Sequence, residues 1–327
     1  MKKLDFVIAW VDGSDESHRL KRQKFQPENV VKGAAEDTRF AHNDEIYFSI
    51  ASILKYVPYC GTIYIITDHQ QPSFVGEFEA QGLCRSGQIQ VVDHQEIFRN
   101  YQQYLPTFNS LSIESMLWNI KGISNHFIYL NDDFFFNQQS DLSDFLIDGQ
   151  MVIYGHWQAT LIKKMKYIFR KFLQQNFGKV AEAKYSTAQM LSADRVGMTR
   201  YYEIHHRPHI LSRDLLSTYF KNNKELLDQQ IQFKFRNIDQ LLPVGLSNHL
   251  AIQSDQAILK DDIDIAYLKD GRDLEKFILA LSNSEIKFGC IQSLDQLESL
   301  AEGRIRAALI QKFTGFLPSQ IQPTTVV

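Results

Sequence analysis

Cysteine is scarce. Cys60, Cys84 and Cys290 stand far apart among 327 residues, odd in number and outside any metal-ligand spacing. They exclude a disulfide-stapled scaffold and fit a chain in a reducing compartment whose thiols simply pack. Long apolar runs are lacking too, because stretches such as residues 6–11 and 62–67 are far too short to span a bilayer. Lys2 and Lys3 imitate the start of a signal peptide, but Asp5 and Asp12 interrupt the apolar region that would have to follow. Neither sign of charge dominates: a net charge of −3 leaves no global nucleic-acid footprint. No repeat or low-complexity linker divides the chain, and only residues 320–327 read as a frayed tail. What is present is 44% hydrophobic residues, enough to bury a large core in one elaborate domain or two intimate ones.

Four short segments rich in β-branched and aromatic residues, 4–10, 62–67, 89–92 and 126–130, read as strands covered on both faces. Helical patterns over 43–56 and 110–120 alternate with them, the first followed by Pro58 and the second by Gly122. This alternation predicts an α/β domain with a mainly parallel central sheet and helices on both faces. An acid follows each strand: Asp12, Asp68, Asp93, and the pair Asp132 and Asp133 after Asn131. Ligands of open α/β sheets bind beyond the carboxyl ends of the strands, so these acids are candidates for one crevice, although Asp is also a common turn residue. The Asn131-Asp132-Asp133 triplet interrupts an apolar run. Vicinal carboxylates there either form a turn and cap the next helix or hold a hard divalent cation, and Mg²⁺ often combines one or two carboxylates with substrate phosphates.

Residues 159–179 predict a basic amphipathic helix. Leu161, Ile162, Met165, Ile168, Phe169, Phe172 and Leu173 form its stripe, with Lys163, Lys164, Lys166, Arg170, Lys171 and Lys179 but no acid. Its stripe packs on the core, or the helix lies on an anionic membrane or holds an anionic glycan. Residues 304–316 repeat the pattern more weakly. The cluster His205, His206, Arg207, Pro208 and His209 precedes a helix expected from about Ile210, and it lacks the helical zinc-protease pattern. Surface histidines in a polar loop are one reading. The other is phosphoryl chemistry, in which His accepts a proton near neutral pH and Arg offers a planar fork to phosphate oxygens.

Taken together, these segments resemble the Stealth family of sugar-phosphate transferases, found in bacterial capsule and surface-polysaccharide synthesis and in the animal enzyme that marks lysosomal glycoproteins. The resemblance rests on blocks in the family's order. Asp5-Phe6-Val7-Ile8-Ala9-Trp10-Val11-Asp12-Gly13-Ser14-Asp15 opens it. Arg39-Phe40-Ala41-His42-Asn43-Asp44-Glu45 begins a long second block that continues through residues 63–72, Val92-Asp93-His94, Leu105-Pro106-Thr107-Phe108-Asn109-Ser110 and Ile113-Glu114-Ser115 to the triplet. His206-Arg207-Pro208-His209, with Arg236 thirty residues after His206, forms the third. Residues 287–292 look like a degenerate fourth block without the acids expected to follow, and no role is carried onto them.

The resemblance implies a GT-A/Rossmann-like fold with a helical insertion. Residues 1–150 form a nucleotide-sugar- and metal-binding half, 151–185 the basic insertion, and 186–327 a second half completing the catalytic domain on the acceptor side. The implied reaction transfers hexose 1-phosphate, N-acetylhexosamine 1-phosphate foremost, from a UDP-sugar to a saccharide hydroxyl and releases UMP. His206 is then the general base, Arg236 the phosphate clamp, and Asp133 with Asp132 the anchor for Mg²⁺ or Mn²⁺. Asp12, Gly13, Asp15, Arg39, Asn43, Asp68, Asn109, Ser110 and Asn131 fall to the donor pocket, with His209, Arg213 and Glu114 in support. Trp10 and Phe108 stack a base or sugar, or else pack. The alternatives are a metal-dependent glycosyltransferase releasing UDP and a non-catalytic carbohydrate-binding assembly protein. The expected place is the cytoplasm, at the inner face of the plasma membrane if the basic helix meets a lipid-linked acceptor, with no nucleic-acid partner.

Overall fold

A computed structural model describes residues 3–26, 43–178, 183–292 and 294–322. Its strands in chain order are β1 (Leu4–Ala9), β2 (Cys60–Thr67), β3 (Ile89–Asp93), β4 (His126–Asn131), β5 (Phe134–Phe136), β6 (Leu146–Ile147), β7 (Gln150–Tyr154), β8 (His156–Ala159), β9 (Arg200–Glu203), β10 (His209–Ser212), β11 (Ala257–Lys260), β12 (Ala266–Leu268) and β13 (Phe288–Ile291). The central sheet has the order β10-β4-β1-β2-β3, with β4, β1, β2 and β3 parallel and β10 antiparallel on the edge. Successive residues Phe6, Val7 and Ile8 of β1 are all fully buried. Side chains alternate across a strand, so both faces of the sheet are covered.

This strand order creates the crevice. The chain leaves β1 to add β2 and β3 on one side, then returns to add β4 on the other, so the topological switch point lies between the carboxyl ends of β1 and β4. Because β10 runs the opposite way, its amino end reaches the same edge, where His209 pairs with Tyr129. Residues from the second half of the chain thereby complete the sheet of the first. The remaining described strands form the short sheets β11-β7-β6 and β12-β13-β5 and the antiparallel pair β8-β9.

Local structure departs from sequence expectation in four places. The 110–120 helix stops at Glu114 and gives way to a 3₁₀ turn over Leu117–Asn119, because the Trp118 indole donates to the Ser115 carbonyl at 2.8 Å. The first residues of the 151–185 insertion are not helical: they form β7 and β8, held by pairing with β11 and β9. The helix expected from Ile210 begins at Arg213, since His209–Ser212 pair with β4 and Ser212 Oγ caps the helix through the Leu215 N–H. The basic helix spans Thr160–Phe177, and it does not bury its apolar stripe.

Candidate active site at the carboxyl edge of the sheet

Asn131 ends β4, and Asp132 and Asp133 form the two-residue link from it to β5. β5 is drawn away from the central sheet by antiparallel pairing with β13, in register Cys290 to Phe134. Gly289 permits this pairing, because the Phe135 ring fills the space that any Cβ there would need. The Cys290 thiol consequently donates to Asp133 Oδ2 at 3.5 Å, and the Ile291 N–H donates to the Asp133 carbonyl at 2.9 Å. Asp133 Oδ1 is enclosed and has no hydrogen-bond partner among the described residues. Burial pushes the Asp133 carboxyl up to about 7. Burial and then the neighbouring charges of Asp133 and Glu45 push Asp132 well above the usual carboxylate range. Glu45, at the start of the Glu45–Tyr56 helix, is raised to about 7 chiefly by burial.

Three carboxyl groups are lifted by burial, Asp132 and Glu45 also by neighbouring carboxylates, and together they make a donor set short of positive charge. Hard oxygen donors and an unpartnered Asp133 oxygen fit a Mg²⁺- or Mn²⁺-sized cation, with ligand positions left for phosphate oxygens. Among the described residues two groups bring three ligating atoms within 4.8 Å of one another, Asp68 with His69 and Asp93, and His156 with His205 and Asp262; Asp132, Asp133 and Glu45 do not converge so closely. In both, the histidine is hydrogen-bonded to a carboxylate of its own group: His69 Nδ1 lies 2.9 Å from Asp68, and His156 Nδ1 lies 2.5 Å from Asp262.

His206 stands beside the triplet, half-buried, its ring edge-on to Phe134 at 6.1 Å. Tyr185 stacks on one face at 5.0 Å and Tyr267 lies parallel to the ring at 6.3 Å. Burial, then the charges of His205 and Arg236, lower the His206 pKa below its ordinary 6.5. The imidazole is therefore neutral and able to accept a proton at neutral pH.

Arg236 reaches this place through a buried amide lattice. Asn109 Nδ2 donates to the Phe233 carbonyl at 3.1 Å and to Gln240 Oε1 at 2.8 Å, while Gln240 Nε2 donates to the Gln230 carbonyl at 2.8 Å. The Phe108 N–H donates to the Lys234 carbonyl at 2.9 Å. These bonds stitch residues 107–112 to 230–240 and let Arg236 Nη2 donate to Ser110 Oγ at 2.7 Å. Glu114 lies next to them, 4% exposed, its carboxyl lifted to about 7 because burial outweighs the nearby Arg236 charge. The Tyr129 hydroxyl completes the path, 3.3 Å from Glu114 Oε1 and 2.9 Å from Asn131 Oδ1. Arg236, Ser110, Glu114, Tyr129 and Asn131 thus form one polar chain from the guanidinium to the triplet.

Several residues expected in the donor pocket have other duties. Asn109 is fully buried; besides its two donated bonds, its Oδ1 accepts the Leu111 N–H as the cap of the Ser110–Glu114 helix. It is a bracket that positions Ser110 and Arg236 rather than a ligand contact. We expect Asn109→Ala to cost about 1–3 kcal/mol of stability, as buried partners lose their bonds, read as a lowered melting temperature. Asp15 Oδ1 accepts the His18 N–H at 2.7 Å and caps the Glu16–Phe25 helix. Arg213 is placed at the opposite end of the sheet, because β10 is antiparallel; it bonds Asp214 and the Ile123 carbonyl and belongs to no part of this site. His209 is buried at the first position of β10 and held neutral, its pKa driven well below 6.5 chiefly by burial.

Asp12 and Gly13 do lie at the switch point. Asp12 Oδ1 accepts the Ser14 N–H at 2.9 Å, and paired bonds between Gln70 and the Asp12 backbone tie this turn to the end of β2. Asp68 is 7% exposed; burial lifts its carboxyl, but hydrogen bonds from Lys21 and His69 outweigh this and hold it below the usual value. Standing two strands from β4, it is on the order of 10 Å from the triplet. The Asn43 N–H donates to Glu45 Oε2 at 2.6 Å. Trp10 and Phe108 are buried, Phe108 stacked on Phe235 at 5.5 Å. Arg39 lies outside the described residues.

Sequence reasoning missed Glu45, Cys290, Tyr129, Tyr185 and Tyr267. Glu45 was visible only as the last residue of the Arg39 block, and Tyr129 only as an interior strand residue. Tyr185, Tyr267 and Cys290 arrive from distant segments without a local signal.

Residues 39–153 match the family model described as Stealth protein CR2, conserved region 2. The chain is 39% identical over 145 residues to a capsular polysaccharide phosphotransferase, cps1A of Actinobacillus pleuropneumoniae, covering 43% of this chain and 38% of the relative. It is 30% identical over 271 residues to the exopolysaccharide phosphotransferase SCO2592 of Streptomyces coelicolor, covering 82% of this chain and 27% of the relative. The aligned stretches therefore span well under half of these relatives' length. Among solved structures, the WbbM bifunctional glycosyltransferase aligns with 96% of this chain and 50% of its own at a TM-score of 0.47 and 8% identity. Conserved region 2 of the Stealth family thus runs from the Arg39 block across the triplet into β7, and the similarity to exopolysaccharide phosphotransferases extends over most of the remaining sequence.

Proposed function

We propose that this chain transfers a sugar 1-phosphate from a UDP-sugar to a hydroxyl of a saccharide acceptor in capsular or cell-surface polysaccharide synthesis. The observation that carries the reading is a neutral His206 stacked with Tyr185 and Tyr267, edge-on to Phe134 next to the carboxylate triplet and within reach of the Arg236 charge. The acceptor hydroxyl attacks the phosphorus next to the sugar. A new oxygen–phosphorus bond forms, the bond to the bridging diphosphate oxygen breaks with its electron pair leaving on UMP, and the hydroxyl proton passes to His206. Arg236 donates to nonbridging phosphate oxygens, aimed by Ser110 and by the charge of Glu114. Mg²⁺ or Mn²⁺, held by Asp132 and Asp133 with Glu45 beside them, would supply charge neutralisation for the diphosphate. Phosphoryl transfer depends mainly on such positioning and charge compensation.

The names of the relatives support the phosphotransferase reading, and the His206–Arg236 neighbourhood favours it over a glycosyltransferase, which attacks the sugar carbon and has less use for a base and guanidinium at the phosphorus. Incubation with UDP-sugars, Mg²⁺ and glycan acceptors tests it through the released nucleotide. UMP is expected; UDP means glycosyl transfer, and saturable sugar binding without release means an assembly protein.

A pH profile gives a further expectation. Since the His206 pKa is lowered from 6.5, kcat/KM falls on the acid side only below about pH 6.5. Arg236→Gln removes one of the charges depressing that pKa, so its acid limb moves to higher pH while the plateau falls about 10²–10³-fold, as for loss of one preorganised donor. An unmoved limb would separate Arg236 from the base.

A further inference from the structure

The Thr160–Phe177 helix is mounted inside out. Its polar side faces the protein: Lys163 Nζ lies 3.3 Å from Glu203, Lys164 Nζ 2.6 Å from Asp194, and the Tyr167 hydroxyl and Lys171 Nζ lie 2.7 and 3.0 Å from Asp239. Only Thr160 is buried. On the opposite side Leu161, Ile162, Met165, Ile168, Phe169 and Phe172 are between 51% and 67% exposed. A soluble helix normally buries such a stripe. Six large side chains so exposed make a contiguous apolar surface on the order of 500 Å², in the range that marks an interaction site rather than scattered surface residues.

Charge identifies the occupant. The helix has five cations and no acid from Thr160 to Phe177. Three are paired with Glu203, Asp194 and Asp239, whereas Lys166 and Arg170 form no ion pair among the described residues and border the apolar face. A second copy docking through this face would set these cations against their own counterparts, with no acid on the helix to meet them. Anionic headgroups complement them, and the apolar side chains fit the acyl boundary below. No helix among the described residues is long and apolar enough to cross a membrane, which leaves an in-plane orientation.

We propose that the Thr160–Phe177 helix lies in the plane of an anionic lipid surface, with Leu161, Met165, Ile168, Phe169 and Phe172 sunk into it and Lys166 and Arg170 at the headgroups. The ion pairs fastening the helix join it to Glu203, three residues before His206, and to Asp239, three residues after Arg236. Resting on the proposed transfer reaction, this directs the acceptor side of the site toward a saccharide carried on a lipid.

Vesicle co-sedimentation without donor or acceptor tests the surface independently of turnover. The whole chain is expected to bind phosphatidylglycerol-containing vesicles at least tenfold more strongly than phosphatidylcholine vesicles, with binding falling as salt rises. Phe169→Ser with Phe172→Ser removes two exposed anchors, each worth about tenfold in partitioning, and should cut vesicle binding about 100-fold with unchanged melting temperature and unchanged nucleotide release from soluble substrates. Lys166→Glu with Arg170→Glu should abolish the preference for anionic lipid. Equal vesicle binding by wild type and the double Ser variant overturns the proposal. So does wild-type protein that ignores anionic vesicles and instead forms a dimer which the double Ser variant loses.

Discussion

His206→Ala should lower kcat for UMP release about 10²–10⁴-fold, the usual consequence of removing a positioned general base, while leaving the fold and UDP-sugar affinity nearly intact. The side chain is half-buried, stacked with Tyr185 and Tyr267, and among the described residues it has no hydrogen bond that organises the backbone. Its truncation therefore removes little besides the ring. The loss should appear in kcat more than in KM, since the proton moves only as the acceptor attacks. The acid limb of the wild-type pH profile should vanish with it. Near-normal turnover by His206→Ala would assign the base elsewhere.

Asp133→Asn should have two opposite effects. Activity should fall to the assay background, because the substitution removes one carboxylate from the pair proposed to hold the cation. Stability in a chelator should rise. The folded-state Asp133 value of about 7 lies above its ordinary 3.8, so the native state keeps a proton that the unfolded chain loses between those values. Stability of the cation-free wild type therefore declines as pH rises from about 4 to about 7, then levels off. At pH 8 the neutral Asn escapes that decline, a gain on the order of 2–4 kcal/mol. Part of the decline remains in the variant, since Glu45 is also lifted to about 7. Thermal melts at pH 8 read both signs: Asp133→Asn above wild type in chelator, and a Mg²⁺-induced rise in wild type that the variant lacks. If Mg²⁺ stabilises both proteins equally, the ion is held elsewhere.

The legible part of this protein was local. Continuous β-branched segments made four parallel strands readable within a residue or two, because strands buried on both faces leave no polar alternation to confuse them. The acids after those strands were readable as one edge because parallel strands put their carboxyl ends together. His206 and Arg236 were linked by family pattern rather than by spacing. Asn109 was misassigned for a physical reason: an Asn in a conserved-looking block gives no sign whether its amide will face a ligand or be spent on three internal bonds. Arg213 was misassigned because strand direction is invisible locally; only antiparallel β10 sends it to the far end of the sheet.

Sequence alone determined the α/β layering, the crevice edge and the residue types available for phosphate chemistry, since these follow from hydrophobic periodicity and from what stands at strand ends. Tertiary structure decided which groups meet. Cys290 reaches Asp133, Tyr185 and Tyr267 enclose His206, and Glu45 joins the triplet through packing between segments that share no local pattern. The basic helix makes the same point in reverse. Its periodicity fixed a stripe, but the placement of Glu203, Asp194 and Asp239 under its lysines decided that the stripe faces outward.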